Sequence, residues 1–306
     1  MPEQHRRDTL ATGIDIGGTK TLAVLVGRTG GGPPELLGSV SVPSGVSRGA
    51  EAVLGSVREA VLGLERSTGA LGARVGVGVA GYLDLDGTMV RSPNVGCLEG
   101  LDVVRSVSEV LGVDVLVEND ANCVALAGLA TSTEDHRDLV ALTFGTGIGG
   151  GVVVDGRLLR GANGFAGEPG HMVVCAGGIE CVCGQRGCWE RYASGSALAA
   201  MAAPEFTSAE ELVSAAREGR AGAVEVVVEF CRWLALGIGN VVNLLDPEVV
   251  LIGGGLASAL DVMGPHINTE LEGNPTVAHR VPPVRAAPHG PAAGAVGAAA
   301  LAAGWC

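Results

Sequence analysis

The twenty residues from His171 to Glu190, "HMVVCAGGIECVCGQRGCWE", hold one histidine, four cysteines and two acids. His171, Cys181, Cys183 and Cys188 follow the spacing H-x9-C-x-C-x4-C, a one-histidine, three-thiolate set suited to tetrahedral zinc. Four protein ligands close the coordination shell, so such a zinc is structural and not hydrolytic. Gly184 and Gly187 let the backbone turn tightly between ligands. Cys175 is a spare thiol, while Cys97, Cys123, Cys231 and Cys306 read as core or surface residues. The lead "MPEQHRRDTLATGIDI" has no apolar run of the export kind, so a cytoplasmic location is expected. Disulfides are rare there, which is why metal binding is the better use of these thiols.

A second kind of chemistry lies in three glycine-rich turns. "DIGGTK" places Gly17, Gly18, Thr19 and Lys20 directly after an apolar run ending near Asp15. Glycines let backbone N–H groups approach an anion, and a threonine adds a hydroxyl donor. Alone, this motif reads equally well as an ordinary hairpin turn; it has neither P-loop nor dinucleotide-fingerprint spacing. "FGTGIGGG" contributes Gly145, Thr146 and Gly147, and "LIGGGLA" contributes Gly253, Gly254 and Gly255. Three such turns at strand ends suggest a nucleoside triphosphate, with Asp15 placed to position magnesium. In "VENDANC", Asn119 and Asp120 sit where a strand meets a helix, and on spacing alone they read as an N-cap pair.

The elements that carry these residues alternate between strand and helix. Strands are expected over "TGIDI", "KTLAVLVG", "PELLGSVSVP" and "RVGVGVAG", with a helix over residues 49–65 and a hairpin at "YLDLDGTMV". A helix near 101–111, a strand at "VDVLVE" and a helix from Asn119-Asp120 follow. "DLVALTFGTGIGGGVVVDGRLL" then repeats the strand–glycine turn–strand layout, a duplication of architecture without duplication of sequence. Helices near 195–217 and 221–245, a strand "EVVLIGGG" and a terminal alanine-rich helix complete the chain. Hydrophobic residues make up 47% but aromatics only 3%, so the core must be built from Ala, Val and Leu. The net charge of −13 argues against nucleic acid as a partner. Glu225, Glu229 and Arg232 mark the longest apolar helix as a core element, not a membrane span.

Taken together, "DIGGTK", "ENDANC", "GTGIGGG", "GEPGH", "CVCGQRGCWE" and "LIGGG" resemble the ROK family of bacterial sugar kinases and repressors, in the actin-like ATPase superfamily. The resemblance implies a duplicated ribonuclease-H-like α/β fold of two lobes with a cleft between them. Residues 1–120 would form the smaller lobe, with the terminal helix about 291–306 packed back on it, and residues 121–290 the larger, zinc-binding lobe. It implies ATP with magnesium and a small-molecule sugar or cyclitol acceptor, with Asp120 as catalytic base. Gly81, Asn94, Asn119, Glu168, His171 and Glu190 match the family's sugar-binding positions. Zinc on one ring nitrogen of His171 would leave the other as a donor to the sugar. That clip is expected to act on the sugar alone, apart from the glycine turns.

Two departures bear on the acceptor. Val95-Gly96-Cys97 stands where glucokinases of the family commonly carry a tryptophan, and Pro169 follows Glu168 in place of a bulkier apolar residue. Glucose is the first acceptor implied; N-acetylglucosamine, N-acetylmannosamine, fructose or a cyclitol are the alternatives. A repressor-like reading is disfavoured, because only about a dozen residues precede "GIDIGGTK", too few for a helix-turn-helix domain. The family likeness also implies a homodimer or homotetramer.

Overall fold

A computed structural model describes residues 10–134 and 136–306. Residues 1–9 of the lead that is expected not to be an export signal lie outside the described residues. β1 (Leu10–Ile16), β2 (Lys20–Gly27) and β3 (Glu35–Pro43) form an antiparallel meander. α1 (Ala50–Thr68) follows, then β4 (Arg74–Val79), which lies parallel to β1. A small hairpin of β5 (Tyr82–Leu83) and β6 (Met89–Arg91) and then α2 (Val103–Leu111) lead to β7 (Val115–Asn119), parallel to β4. The sheet order is β3-β2-β1-β4-β7. β1 and β2 are buried along almost their whole length, as central strands covered on both faces must be.

α3 (Asp120–Thr131) leads into the second sheet, which repeats this plan. β8 (Leu139–Phe144), β9 (Ile148–Val154) and β10 (Arg157–Leu158) run in succession, and β11 (Val249–Gly254) and β12 (Val284–Ala286) add in parallel, in the order β10-β9-β8-β11-β12. The expected duplication is therefore one of strand order. Between β10 and β11 lie α4 (Glu190–Ala193), α5 (Gly195–Ala202), α6 (Ala209–Arg217) and α7 (Ala221–Leu245). The helical region expected over 195–217 is broken in two around Pro204, which has no N–H to continue a helix. α8 (Leu260–Gly273) and β12 were not foreseen. Gly264-Pro265 argues locally against a helix, but Met263, Ile267 and Leu271 bury one face at helical spacing, and that packing prevails.

The chain forms two compact units. The first takes residues up to Arg137 together with Gly151–Gly167 and Ala287–Cys306; the second takes Asp138–Gly150 and Glu168–Ala286. Among the described residues no helix is long and apolar enough to cross a membrane.

Side chains of β1 alternate between two packing partners. Ile14 and Ile16 belong to an apolar cluster with Val53, Val57, Ala60 and Leu64 of α1. Gly13 faces the other way, onto α9 (Ala293–Ala303), the terminal helix. A Cβ on Gly13 would lie 1.8 Å from the Ala295 carbonyl oxygen, and one on Gly76 of β4 would lie 1.8 Å from that of Ala298. The helix therefore touches the sheet backbone to backbone, and alanine, not an aromatic, is what fits. Gly13→Ala is expected to lower the denaturant midpoint by an amount equivalent to about 1–3 kcal/mol or more, because a packed backbone must move to admit one methyl group. A wild-type midpoint would show that α9 is not held this closely.

Candidate functional site

In the first unit the parallel register lines up one row of site residues. Asp15 pairs with Gly78 and Gly78 with Glu118; one residue on, Ile16 pairs with Val79 and Val79 with Asn119. All of these are at the carboxyl ends of β1, β4 and β7, the edge at which parallel α/β sheets bind ligands. The turn Gly17–Lys20 leaves β1 at that edge. It is held by Gly17 N–H donating to the Lys20 carbonyl at 3.0 Å and by buried Ser44, whose hydroxyl donates to the Gly18 carbonyl at 2.9 Å. A Cβ on Gly18 would come 3.0 Å from the Asn94 carbonyl oxygen, so the glycine turn lies directly against the Asn94 segment. Thr19, Lys20 and Asn94 are exposed.

Asn119 caps α3: its Oδ1 accepts from the N–H groups of Ala121 at 2.9 Å and Asn122 at 3.0 Å. Its Nδ2 donates to the Gly81 carbonyl at 3.0 Å. The capping role read from the sequence thus holds, and the same side chain also hydrogen-bonds the Asp120 carboxylate. Gly81 has φ 141°, with Met89 Sδ, Arg91 O and Ser92 Cβ all within 2.8 Å of where a Cβ would stand. Asp120 opens the helix. Burial pushes its carboxyl above the usual range, partly opposed by the N–H groups of Ala121 and Asp120 and by Asn119. Asp15 is pushed up to about 7, first by burial and then by the charge of Asp120, with Lys20 opposing. Two carboxylates within electrostatic reach of one another, both holding protons more tightly than usual, is an arrangement suited to proton transfer or to a hard cation.

In the second unit the turns Gly145–Gly147 and Gly253–Gly255 leave adjacent parallel strands, since Gly254 pairs with Phe144. Gly254 has φ 74°, and a Cβ there would meet the Phe144 carbonyl oxygen at 2.2 Å. Beside them lies the cysteine segment. One ligand atom from each of His171, Cys181, Cys183 and Cys188 falls within 4.8 Å of the others. Cys183 and Cys188 Sγ are 3.6 Å apart, and Cys181 Sγ is 3.8 Å from His171 Nδ1. Zinc–sulfur bonds of about 2.3 Å at tetrahedral angles require sulfurs about 3.8 Å apart, so the set has the dimensions of a zinc site. Burial resists ionisation of Cys183, yet the backbone N–H of Gln185 and the neighbouring thiols hold its pKa below the ordinary thiol value. Cys175 is outside the set. Gly187, at φ 84°, passes so close to Cys175 that a Cβ would meet its carbonyl oxygen at 1.8 Å.

Glu168 precedes a short 3-10 turn, Pro169–His171, in which Pro169 occupies the first position, where its missing N–H costs nothing. The unusual proline is therefore accommodated locally. Glu190 opens α4 and does two things. Its Oε1 accepts from Cys181 Sγ at 2.9 Å, and its Oε2 accepts from the Ile148 N–H at 3.4 Å. A Cβ on Gly147 would lie 2.5 Å from that Oε2. The cysteine set and the Gly145–Gly147 turn are thus neighbours through Glu190, which corrects the expectation that the metal clip stands apart from the glycine turns. Trp189 reinforces the link: fully buried, it crosses Phe144 edge-to-face at 5.8 Å and donates from Nε1 to the Trp233 carbonyl at 2.7 Å. Ser44, Glu118, Arg160 and Trp189 were not singled out from the sequence; a charged Glu118 inside an apolar strand was the one available signal.

These motifs coincide with a family profile. The model of the ROK family matches residues 11–304. The chain belongs to the ROK family. This ROK protein is 33% identical to the glucokinase of Streptomyces coelicolor over 276 residues, covering 83% of this chain and 84% of that one. It is 32% identical to the N-acetyl-D-glucosamine kinase of Haemophilus influenzae over 94% of this chain and 98% of that one. Its fold superposes on the ROK glucokinase of Streptomyces griseus, solved with glucose and AMPPNP, with a TM-score of 0.82, 33% identity and coverage of 96% and 99% of the two chains. The fold is that of the actin-like ATPases.

The raised Asp15 carboxyl makes the unliganded protein pH-sensitive. Its folded value of about 7 exceeds the ordinary 3.8, so the folded chain holds the proton more tightly than the unfolded chain does. The stability it contributes is complete at low pH and is lost as pH rises from about 4 through about 7. Asp15→Asn is expected to flatten this fall in thermal-melt profiles taken across that range without nucleotide or magnesium. An unchanged slope would place Asp15 in water.

Proposed function

We propose that this ROK protein transfers the γ-phosphoryl group of ATP to a hydroxyl of a hexose, with glucose the first acceptor and Asp120 the general base. The observation that carries the reading is that strand register brings Asp15 and Asp120 to one sheet edge within electrostatic reach, beside the Gly17–Lys20 turn. Phosphoryl transfer depends on positioning and charge stabilisation more than on a strong base. As the sugar oxygen bonds to the γ-phosphorus and the bond to the β-phosphate oxygen breaks, Asp120 takes the hydroxyl proton. A carboxylate whose proton affinity has been raised by burial is a better match to that task.

The glycine turns Gly17–Lys20, Gly145–Gly147 and Gly253–Gly255 are assigned to the phosphates and nucleotide. Gly81, Asn94, Asn119, Glu168, His171 and Glu190 are assigned to the sugar on the family likeness. Carboxylates and amides at these positions accept from and donate to ring hydroxyls, which selects a polyhydroxylated ligand. Magnesium would be held by Asp15 and supplies neutralisation of phosphate charge. Zinc would be held by His171, Cys181, Cys183 and Cys188 and supplies a closed structural clasp. Coordination through Nδ1 leaves His171 Nε2 protonated, a fixed donor to a sugar oxygen.

N-acetylglucosamine is the second acceptor to test. Gly96, in the run where glucokinases commonly have tryptophan, would direct a side chain into open space, its nearest neighbour Glu99 Oε1 at 3.9 Å. The likeness to the N-acetyl-D-glucosamine kinase of Haemophilus influenzae supports testing this acceptor. Cytoplasmic residence and a homodimeric or homotetrameric assembly belong to the same reading and rest on the family likeness.

ADP release measured with glucose, N-acetylglucosamine, N-acetylmannosamine, fructose and a cyclitol identifies the acceptor; no turnover with any of them would sink the kinase reading. Asp120→Asn keeps the side chain's shape and removes its basicity, so turnover is expected to fall by about 10²–10⁴-fold with sugar affinity largely kept.

The zinc clasp makes a separate claim. Purified protein is expected to carry about one zinc per chain by elemental analysis. Cys183→Ser should lose that zinc, with sugar affinity falling on the order of 10–100-fold. Nucleotide affinity should fall by a smaller factor, because Glu190 also lies on the Gly147 turn. Metal-free protein with unaltered sugar binding would separate the thiols from the acceptor site.

A further inference from the structure

Glu118 is a charged residue in a strand interior, only 6% exposed. Isolated buried carboxylates are too costly to keep; they persist when each oxygen is paired. Here Oε1 accepts from the Asn119 backbone N–H at 2.9 Å and from Asn122 Nδ2 at 2.9 Å, and Oε2 accepts from Arg160 Nε at 2.6 Å. One carboxylate thus grips the residue just before Asp120 and the residue two beyond it. Asn119 is also the cap of α3 and is tied to Gly81, so its backbone position sets both the helix start and the aim of Asp120. Asn122 Oδ1 is buried with no partner, so Glu118 supplies the one hydrogen bond its side chain makes among the described residues. Apolar residues of similar size would stabilise such a strand as well or better than an ion pair. What the pair adds is direction.

We infer that Glu118 and Arg160 form a positioning pair for the proposed catalytic base: Arg160 holds the Glu118 carboxylate, and Glu118 holds the Asn119–Asp120 corner where β7 turns into α3. Neither residue touches a substrate in this account; both act through the backbone of Asn119 and the side chain of Asn122. The inference rests on the reading of Asp120 as base. It predicts that loosening the pair slows the chemical step and leaves nucleotide binding alone. Arg160 is the better residue to change, because its side chain is 43% exposed and its removal empties no part of the core.

The test compares Arg160→Met, Arg160→Lys, Glu118→Gln and the Arg160→Met/Glu118→Gln double variant with wild type and Asp120→Asn. Assays use ATP, magnesium and whichever of glucose or N-acetylglucosamine the wild type turns over. kcat is normalised to folded protein by nucleotide titration. Arg160→Met is expected to lower kcat by about tenfold, since small misplacements of a reacting group are costly, with KM for ATP within about twofold. Arg160→Lys should restore most of the loss. The double variant should be no slower than the slower single one, because the two residues act as a unit. A purely structural pair would instead lower the melting temperature and leave normalised kcat at the wild-type value; that outcome overturns the inference, as does additivity in the double variant. Should Glu118→Gln fail to fold, the two Arg160 variants still decide. Normal turnover by Asp120→Asn would overturn the parent reading and this one together, whereas an inactive Asp120→Asn beside a fully active Arg160→Met overturns this one only.

Discussion

Backbone contact between α9 and the elements around it is the constraint on which the first unit depends. Gly13 and Gly76 remove the side chains that would keep the helix off β1 and β4, and Gly297 brings it against α3, where a Cβ would stand 1.7 Å from the Cys123 carbonyl oxygen. The same helix presents Gly294 to Asp15, with its hypothetical Cβ at 3.3 Å from Oδ2. A helix drawn this close fixes β1, β4 and α3 relative to one another, and with them both carboxylates. Burial at that edge is the largest cause of the raised Asp15 and Asp120 carboxyls. The alanine-rich, aromatic-poor composition follows from this geometry, because large side chains cannot enter a backbone-to-backbone contact.

Around that contact, polar groups are spent on aiming. Ser44 holds the Gly18 and Thr19 carbonyls of the Gly17–Lys20 turn with its hydroxyl and its N–H. Asn119 serves at once as helix cap and as a tie to Gly81. The second unit uses the same device with different chemistry. Glu190 joins the thiol set to the Gly145–Gly147 turn, and Trp189 anchors the segment by its indole N–H and its edge contact with Phe144. A change in the cysteine segment therefore reaches a glycine turn through one residue.

Much of this was legible in the sequence because it depends on local rules. Period-2 apolar runs marked the strands, glycine pairs marked the turns, Asn119-Asp120 marked a helix start, and H-x9-C-x-C-x4-C marked a ligand set whose atoms do converge. Each is a property of neighbours along the chain, set by sterics, capping or ligand chemistry. What stayed hidden was of two kinds. α8 was masked by Gly264-Pro265, where a local signal opposed the packing that prevails. The partners of Glu118, Gly13 and Gly147 were hidden because Arg160, Ala295 and Glu190 lie tens to hundreds of residues away, and only strand register and helix docking bring them within bonding distance.

The sequence by itself determined which groups are present and the chemistry open to them: carboxylates at strand ends, glycines where anions can approach, thiols spaced for zinc. The tertiary structure alone decided which groups meet and how strongly each holds its proton. Burial and a neighbouring charge, not residue type, raise Asp15 to about 7, and a contact of a few ångströms, not spacing, puts Glu190 on both the thiols and the glycine turn. Residue identity sets a group's intrinsic chemistry, whereas solvation and distance, which set its working strength, exist only once the chain has folded.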